Sequence, residues 1–148
     1  MLKERTMKIV KYITLVLLIC ASTFAVQAEQ KFTKGSWDIH YIAFPSTFVK
    51  PETASQYNLQ RSRYMAVVNI SVLDKDSQEA QFVNVSGKAK NLLGQTKQLT
   101  FTRVTEGKAV YYLAQLQYRN EEIFNFEIDI QQGNRSETIK FNKKFYAD

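Results

Sequence analysis

From Ser36 to the C-terminal residues, apolar side chains recur at every second position in one segment after another. In Arg63 to Leu73 one face carries Tyr64, Ala66, Val68, Ile70 and Val72, and in Ala109 to Tyr118 one face carries Val110, Tyr112, Ala114, Leu116 and Tyr118. The same alternation runs through Trp37, Ile39, Tyr41 and Ala43, through Val83, Val85, Gly87 and Ala89, and through Leu99 and Phe101. It resumes in Phe124, Phe126, Ile128 and Ile130 and closes with Ile139, Phe141 and Phe145. Successive side chains of an extended chain point to opposite faces, so period two marks strands with one buried face. Short stretches rich in turn formers separate the segments: Asp74 to Glu79, Asn91 to Thr96, Glu106-Gly107-Lys108, Arg119 to Glu122 and Gln132-Gly133-Asn134. No segment sustains a helical period. The pattern predicts an all-β fold, a seven-stranded antiparallel two-sheet sandwich of immunoglobulin-like outline, with a small barrel as the alternative closure.

Ahead of this region, residues 1–28 read as a secretory signal. Lys3, Arg5, Lys8 and Lys11 form a basic n-region, Tyr12 to Ile19 an apolar h-region, and Val26-Gln27-Ala28 a small-residue cleavage site. The competing readings are a retained membrane anchor, for which Tyr12 to Ala28 is short, and acylation at Cys20, which the bulky Ile19 before it disfavours. The expected product is a single β-sandwich domain, residues 29–148, in the periplasm. Cys20 is the only cysteine, so that product has no disulfide.

Export also changes the charge. The net charge of +6 includes four basic residues and one acidic residue from the leader. Without them, 16 Lys and Arg stand against 13 Asp and Glu, a net charge of +3 with no basic run longer than Lys143-Lys144. Nucleic-acid binding has no support in that distribution. A chain of this length can bury about two-thirds of its unfolded surface and so build a core without staples.

Catalytic groupings are scarce. His40 is the only imidazole, and regular alternation turns it away from Trp37, Ile39 and Tyr41. A lone histidine makes neither a zinc site nor a triad, so no metal, cofactor or catalytic residue is expected. Asp74, Asp76 and Glu79 lack the central glycine and distal glutamate of a calcium loop and read as a solvated turn. Trp37 reads as a core anchor, and of Tyr111 and Tyr112 one is expected in the core and one on the surface.

One connection is out of proportion. Phe44 to Ser62 is longer than compact domains usually allow, and Pro51-Glu52-Thr53 is able to open a helical turn. With Phe44, Phe48, Tyr57 and Leu59 as apolar anchors, it is expected to pack down with His40 at its base and to present Ser46, Thr47, Tyr57, Arg61 and Ser62 as a ligand-binding surface. The planar fork of Arg61 suits a carboxylate or phosphate, or else ties the loop to a backbone carbonyl or to Glu52.

Gly35-Ser36-Trp37-Asp38-Ile39-His40-Tyr41-Ile42-Ala43-Phe44-Pro45, with Pro51-Glu52-Thr53-Ala54, Asn91-Leu92-Leu93-Gly94-Gln95, Glu106-Gly107-Lys108-Ala109-Val110-Tyr111-Tyr112 and Phe141-Asn142-Lys143-Lys144-Phe145-Tyr146, resembles a family of small secreted gammaproteobacterial proteins. That family is catalogued as domain of unknown function 4426. The resemblance implies a periplasmic setting and a β-sandwich and supplies no activity or site residues. The expected function is a non-enzymatic periplasmic binding module whose partner is a protein or peptide, or a glycan. Membrane contact is expected only through an uncleaved signal segment. The alternatives are a hydrolase using Asp38 with Glu121 or Glu122, and an assembly factor that pairs a client with a free sheet edge.

Overall fold

The computed structural model describes residues 30–147. The expected signal segment, including its cleavage site, lies outside the described residues.

Among the described residues nine strands form two antiparallel sheets. They are β1 (Lys31–Lys34), β2 (Trp37–Pro45), β3 (Met65–Asp74), β4 (Asn84–Asn91), β5 (Thr96–Thr100), β6 (Thr102–Glu106), β7 (Ala109–Gln117), β8 (Glu122–Gln132) and β9 (Arg135–Phe145). One sheet has the order β1-β2-β3-β7-β6 and the other β5-β4-β8-β9. The sandwich is as expected, but the count of seven strands is not. The first addition is β1, whose Lys-Phe-Thr-Lys sequence is too short and polar to show a period. Its Phe32 ring stacks on Tyr41 at 5.2 Å. The second arises because Thr96 to Glu106 is two strands. At Phe101 the chain leaves the four-stranded sheet, and Thr102 pairs with Leu113 of β7 in the other.

The inward residues of both sheets are those the period selects. Ile39, Ala66, Val68, Ile70, Val72, Phe124, Ile128 and Ile130 are fully buried, and Trp37 is 1% exposed. An aromatic column joins the layers: Tyr41 stacks on Phe141 at 4.4 Å, Phe141 on Phe126 at 4.8 Å, and Tyr118 on Phe145 at 4.8 Å. At one end of the sandwich Arg135 fastens the β1–β2 turn. Its Nη2 donates to the Lys34 carbonyl and its Nη1 to Ser36 Oγ, both at 2.7 Å, and its guanidinium lies 3.6 Å from the centre of the Trp37 ring. Cation–π contact and charge-assisted hydrogen bonds therefore act on the same group. Tyr112 is the core member of its pair, accepting from Val83 N and donating to the Gln81 carbonyl.

β4 and β8 approach closely because position 87 lacks a side chain. A Cβ on Gly87 would lie 2.7 Å from Ile128 Cδ1 and 2.9 Å from the Glu127 carbonyl oxygen. On the outer face of this sheet Glu127 sits between Lys88 and Lys140, each 3.4 Å away.

Candidate functional site: a trough on the outer face of the five-stranded sheet

The long connection folds across the outer face of the five-stranded sheet. Pro45 leads into a 3-10 turn, Ser46–Phe48, and Pro51 starts a short helix, α1 (Pro51–Gln56). Ala54 of α1 and the outward-pointing Val67 of β3 are both buried, so the helix covers this part of the sheet. Beyond the helix, the Gln60 backbone and the Gln115 side chain exchange two hydrogen bonds of 2.9 Å. Tyr57 donates to Glu106 Oε2 at 3.0 Å, and this bond to a carboxylate raises the phenol above its ordinary value.

The covering is partial. Beside it lies an open trough of about 1250 Å³ whose lining includes His40, Ile42 and Phe44 of β2, Asn69 and Ser71 of β3, and Tyr111 of β7. Phe48, 76% exposed, stands at its rim and is not the packed anchor expected from the sequence. Ala54 has that role. Ile42 is 47% exposed at the floor. Beside it, the Oδ1 of Asn69 is buried with no hydrogen-bond partner. β1 pairs with β2 only as far as His40, so among the described residues no strand flanks β2 from Ile42 to Pro45 on that side.

The sequence-selected residues separate into two groups. Ser46 is fully buried, and its Oγ donates to the Ser62 carbonyl and accepts from Ser62 N, closing the base of the loop. Ser62 Oγ accepts from Tyr64 N. Arg61 donates from Nε to the Val49 carbonyl at 2.8 Å and from Nη2 to the Thr47 carbonyl at 3.2 Å, so its fork holds loop backbone. Thr47 is exposed beside it. Of the selected residues, His40 alone lines the trough, facing outward as alternation required.

The paired-carboxylate arrangement is not formed. Asp38 accepts from Thr33 Oγ1 and Gln78 Nε2, which hold its carboxyl below the usual range, near the end of the sandwich where Arg135 meets Trp37. Glu122 pairs with Phe145 at the other end of β9 and accepts from Asn91 Nδ2 and Arg119 N. The length of β8 places them about 30 Å apart, well beyond the reach of a shared glycosidic bond. Asp74 Oδ1 accepts from Asp76 N, Ser77 N and Ser77 Oγ, making its turn a self-capped one.

The outward residues of β2 and β3 mark the trough in the sequence: His40, Ile42, Phe44, Val67, Asn69, Ser71 and Leu73 carry no formal charge apart from the histidine. On β9 the outward positions hold Lys140, Asn142 and Lys144, as a solvated face does. Comparison with known proteins agrees with this architecture. Residues 31–148 match the family described as domain of unknown function 4426. The chain belongs to that family. A DUF4426 family protein from Pseudomonas aeruginosa PAO1 is 35% identical, with a TM-score of 0.73 over 83% of this chain and 98% of that one. FetP of uropathogenic Escherichia coli strain F11 shares the fold at 9% identity, with a TM-score of 0.58 over 80% of this chain and 94% of that one. A copper-bound variant of FetP gives 0.56 at the same identity, over 80% and 95% of the two chains. No curated protein matches the sequence.

Proposed function

We propose that this DUF4426 protein is a non-enzymatic periplasmic binding module and that its trough receives an extended polypeptide. The observation that carries the reading is the buried, unpartnered Oδ1 of Asn69 at the trough floor. A buried acceptor without a donor is costly, and rotation of the side-chain amide toward the trough would bring it to a ligand N–H. Ile42, Phe44, Phe48 and Tyr111 supply apolar area around that polar point, and the unflanked part of β2 offers main-chain pairing to a strand laid beside it. The remaining edges suit client pairing less well. β1 begins and ends in lysine, and β5, β6 and β9 are largely polar. The strand orders β2-β3-β7-β6 and β5-β4-β8-β9 support the immunoglobulin-like outline. A periplasmic site is supported by the leader-like residues 1–28.

The test is photocrosslinking in intact cells. A photoreactive residue in place of Ile42 should trap a polypeptide, and the same residue in place of Asn142, on the outward face of β9, should not. Equal trapping from both positions, or none from position 42, contradicts the reading.

A further inference from the structure

The end of the sandwich formed by the β4–β5 turn displays two leucines outward. Leu92 is 69% exposed and Leu93 81% exposed. They do not lie on a loose loop. Asn91, 5% exposed, accepts at Oδ1 from Leu93 N and Gln95 N and donates from Nδ2 to Gln95 Oε1 and Glu122 Oε1. Gly94 closes the turn at φ +84°, with nothing within 4 Å of the place a Cβ would take. The hairpin is therefore held in a shape that keeps apolar side chains in water, an arrangement that points to an external apolar medium.

A basic hollow lies beside the tip. Asn91 pairs with Phe124 and Phe124 with Lys143, so tip and hollow are two strand spacings, about 10 Å, apart. The hollow, about 280 Å³, is lined by Arg63, Lys143, Lys144 and Tyr146 among others. Exposed Tyr64 and Tyr146 stand under cations, Arg63 at 4.9 Å and Lys144 at 5.2 Å. Tyrosines with neighbouring Lys and Arg around protruding leucines make the distribution of a lipid interface, with aliphatic groups deepest, amphipathic rings at headgroup level and cations on phosphate. At this end Glu121 pairs with Lys144 at 3.8 Å and Glu122 is held by Asn91 and the Arg119 amide, and the surplus of Arg63, Arg119, Lys143 and Lys144 over these two carboxylates turns the end toward a negative surface.

We infer that this end of the sandwich docks on an anionic bilayer, with Leu92 and Leu93 entering the interface and the Arg63, Lys143 and Lys144 hollow taking a lipid phosphate. The hollow adjoins the trough, with Phe48 and Lys143 lining both, whereas the leucine tip lies two strand spacings from the hollow and lines neither. Protein recovered from the periplasm is sedimented with vesicles of phosphatidylglycerol and phosphatidylethanolamine, or of phosphatidylcholine alone. It should pellet with the first and at least about tenfold less with the second. The double variant Leu92→Asp, Leu93→Asp should lose about tenfold in partitioning, with an unchanged melting temperature because both side chains are exposed. Lys143→Gln with Lys144→Gln should weaken anionic binding alone. Failure to pellet with either vesicle, equal pelleting with both, or an unchanged leucine variant overturns the inference; the first outcome would assign the leucines to a protein partner.

Discussion

Phe126 sits at the centre of the aromatic column, 2% exposed, stacked on Phe141 at 4.8 Å and within 6.3 Å of both Phe124 and Phe145. Phe126→Ala removes a ring that contacts aromatics on its own strand and on β9, and the rigid sheets on either side leave little freedom to close the gap. A truncation of this kind costs about 3–5 kcal/mol. Domains of this size have a total stability of about 5–15 kcal/mol. With an unfolding entropy of about 0.25 kcal/mol/K for roughly 120 residues, a 4 kcal/mol loss lowers the melting temperature by about 16 °C. Phe141→Ala should cost less, since Phe141 is half-buried at the margin of the same column. Lys144→Ala, which removes an exposed pair with Glu121 at 3.8 Å, should cost under about 0.5 kcal/mol. Urea titrations of the three variants followed by far-UV circular dichroism rank them. If Phe126→Ala costs no more than Lys144→Ala, or less than Phe141→Ala, the column is not the centre of the core.

Gly87→Ala should destabilise by about 1–3 kcal/mol through overpacking against Ile128 and the Glu127 backbone, and a neutral effect in the same titration would show that β4 can move away from β8. Asp38, Asp74 and Glu127 are all held below the ordinary carboxylate range, Asp38 by Thr33 and Gln78, Asp74 by the Ser77 and Asp76 backbone, and Glu127 by Lys140 and Lys88. Their native pKa values lie below the unfolded ones, so the unfolded state binds more protons as pH falls; the stability they contribute is complete above the unfolded values near about 4 and is lost below them. The urea midpoint should therefore fall below about pH 4, and less steeply in Glu127→Gln; a midpoint unchanged on acidification would contradict the assignment.

Much of this fold was legible because one force, burial of alternate residues, acts on every long strand. Reading failed where that force is weak or changes direction. β1 buries little and is held by Arg135, about a hundred residues away in sequence, which no local pattern reveals. The switch at Phe101 leaves no apolar trace: on β6 the inward positions, opposite Tyr112 and Val110, hold Arg103 and Thr105, while Val104 pairs with the outward Tyr111. The apolar anchors of the long connection are legible in the sequence, but the direction of its polar side chains is not. Ser46, Arg61 and Ser62 bond loop backbone, because a loop of that length must satisfy its own carbonyl and amide groups. The trough lies under the neighbouring outward face, whose nearly uncharged row on β2 and β3 was visible in the sequence.

Asn69→Leu tests the trough most directly. The substitution keeps the heavy-atom count and the branching at Cγ and removes the unpartnered buried acceptor, so in a protein whose trough awaits a donor it should raise the unfolding free energy by about 1 kcal/mol while abolishing the crosslink formed from position 42. A variant that is destabilised, or that crosslinks as efficiently as the parent, would contradict the account.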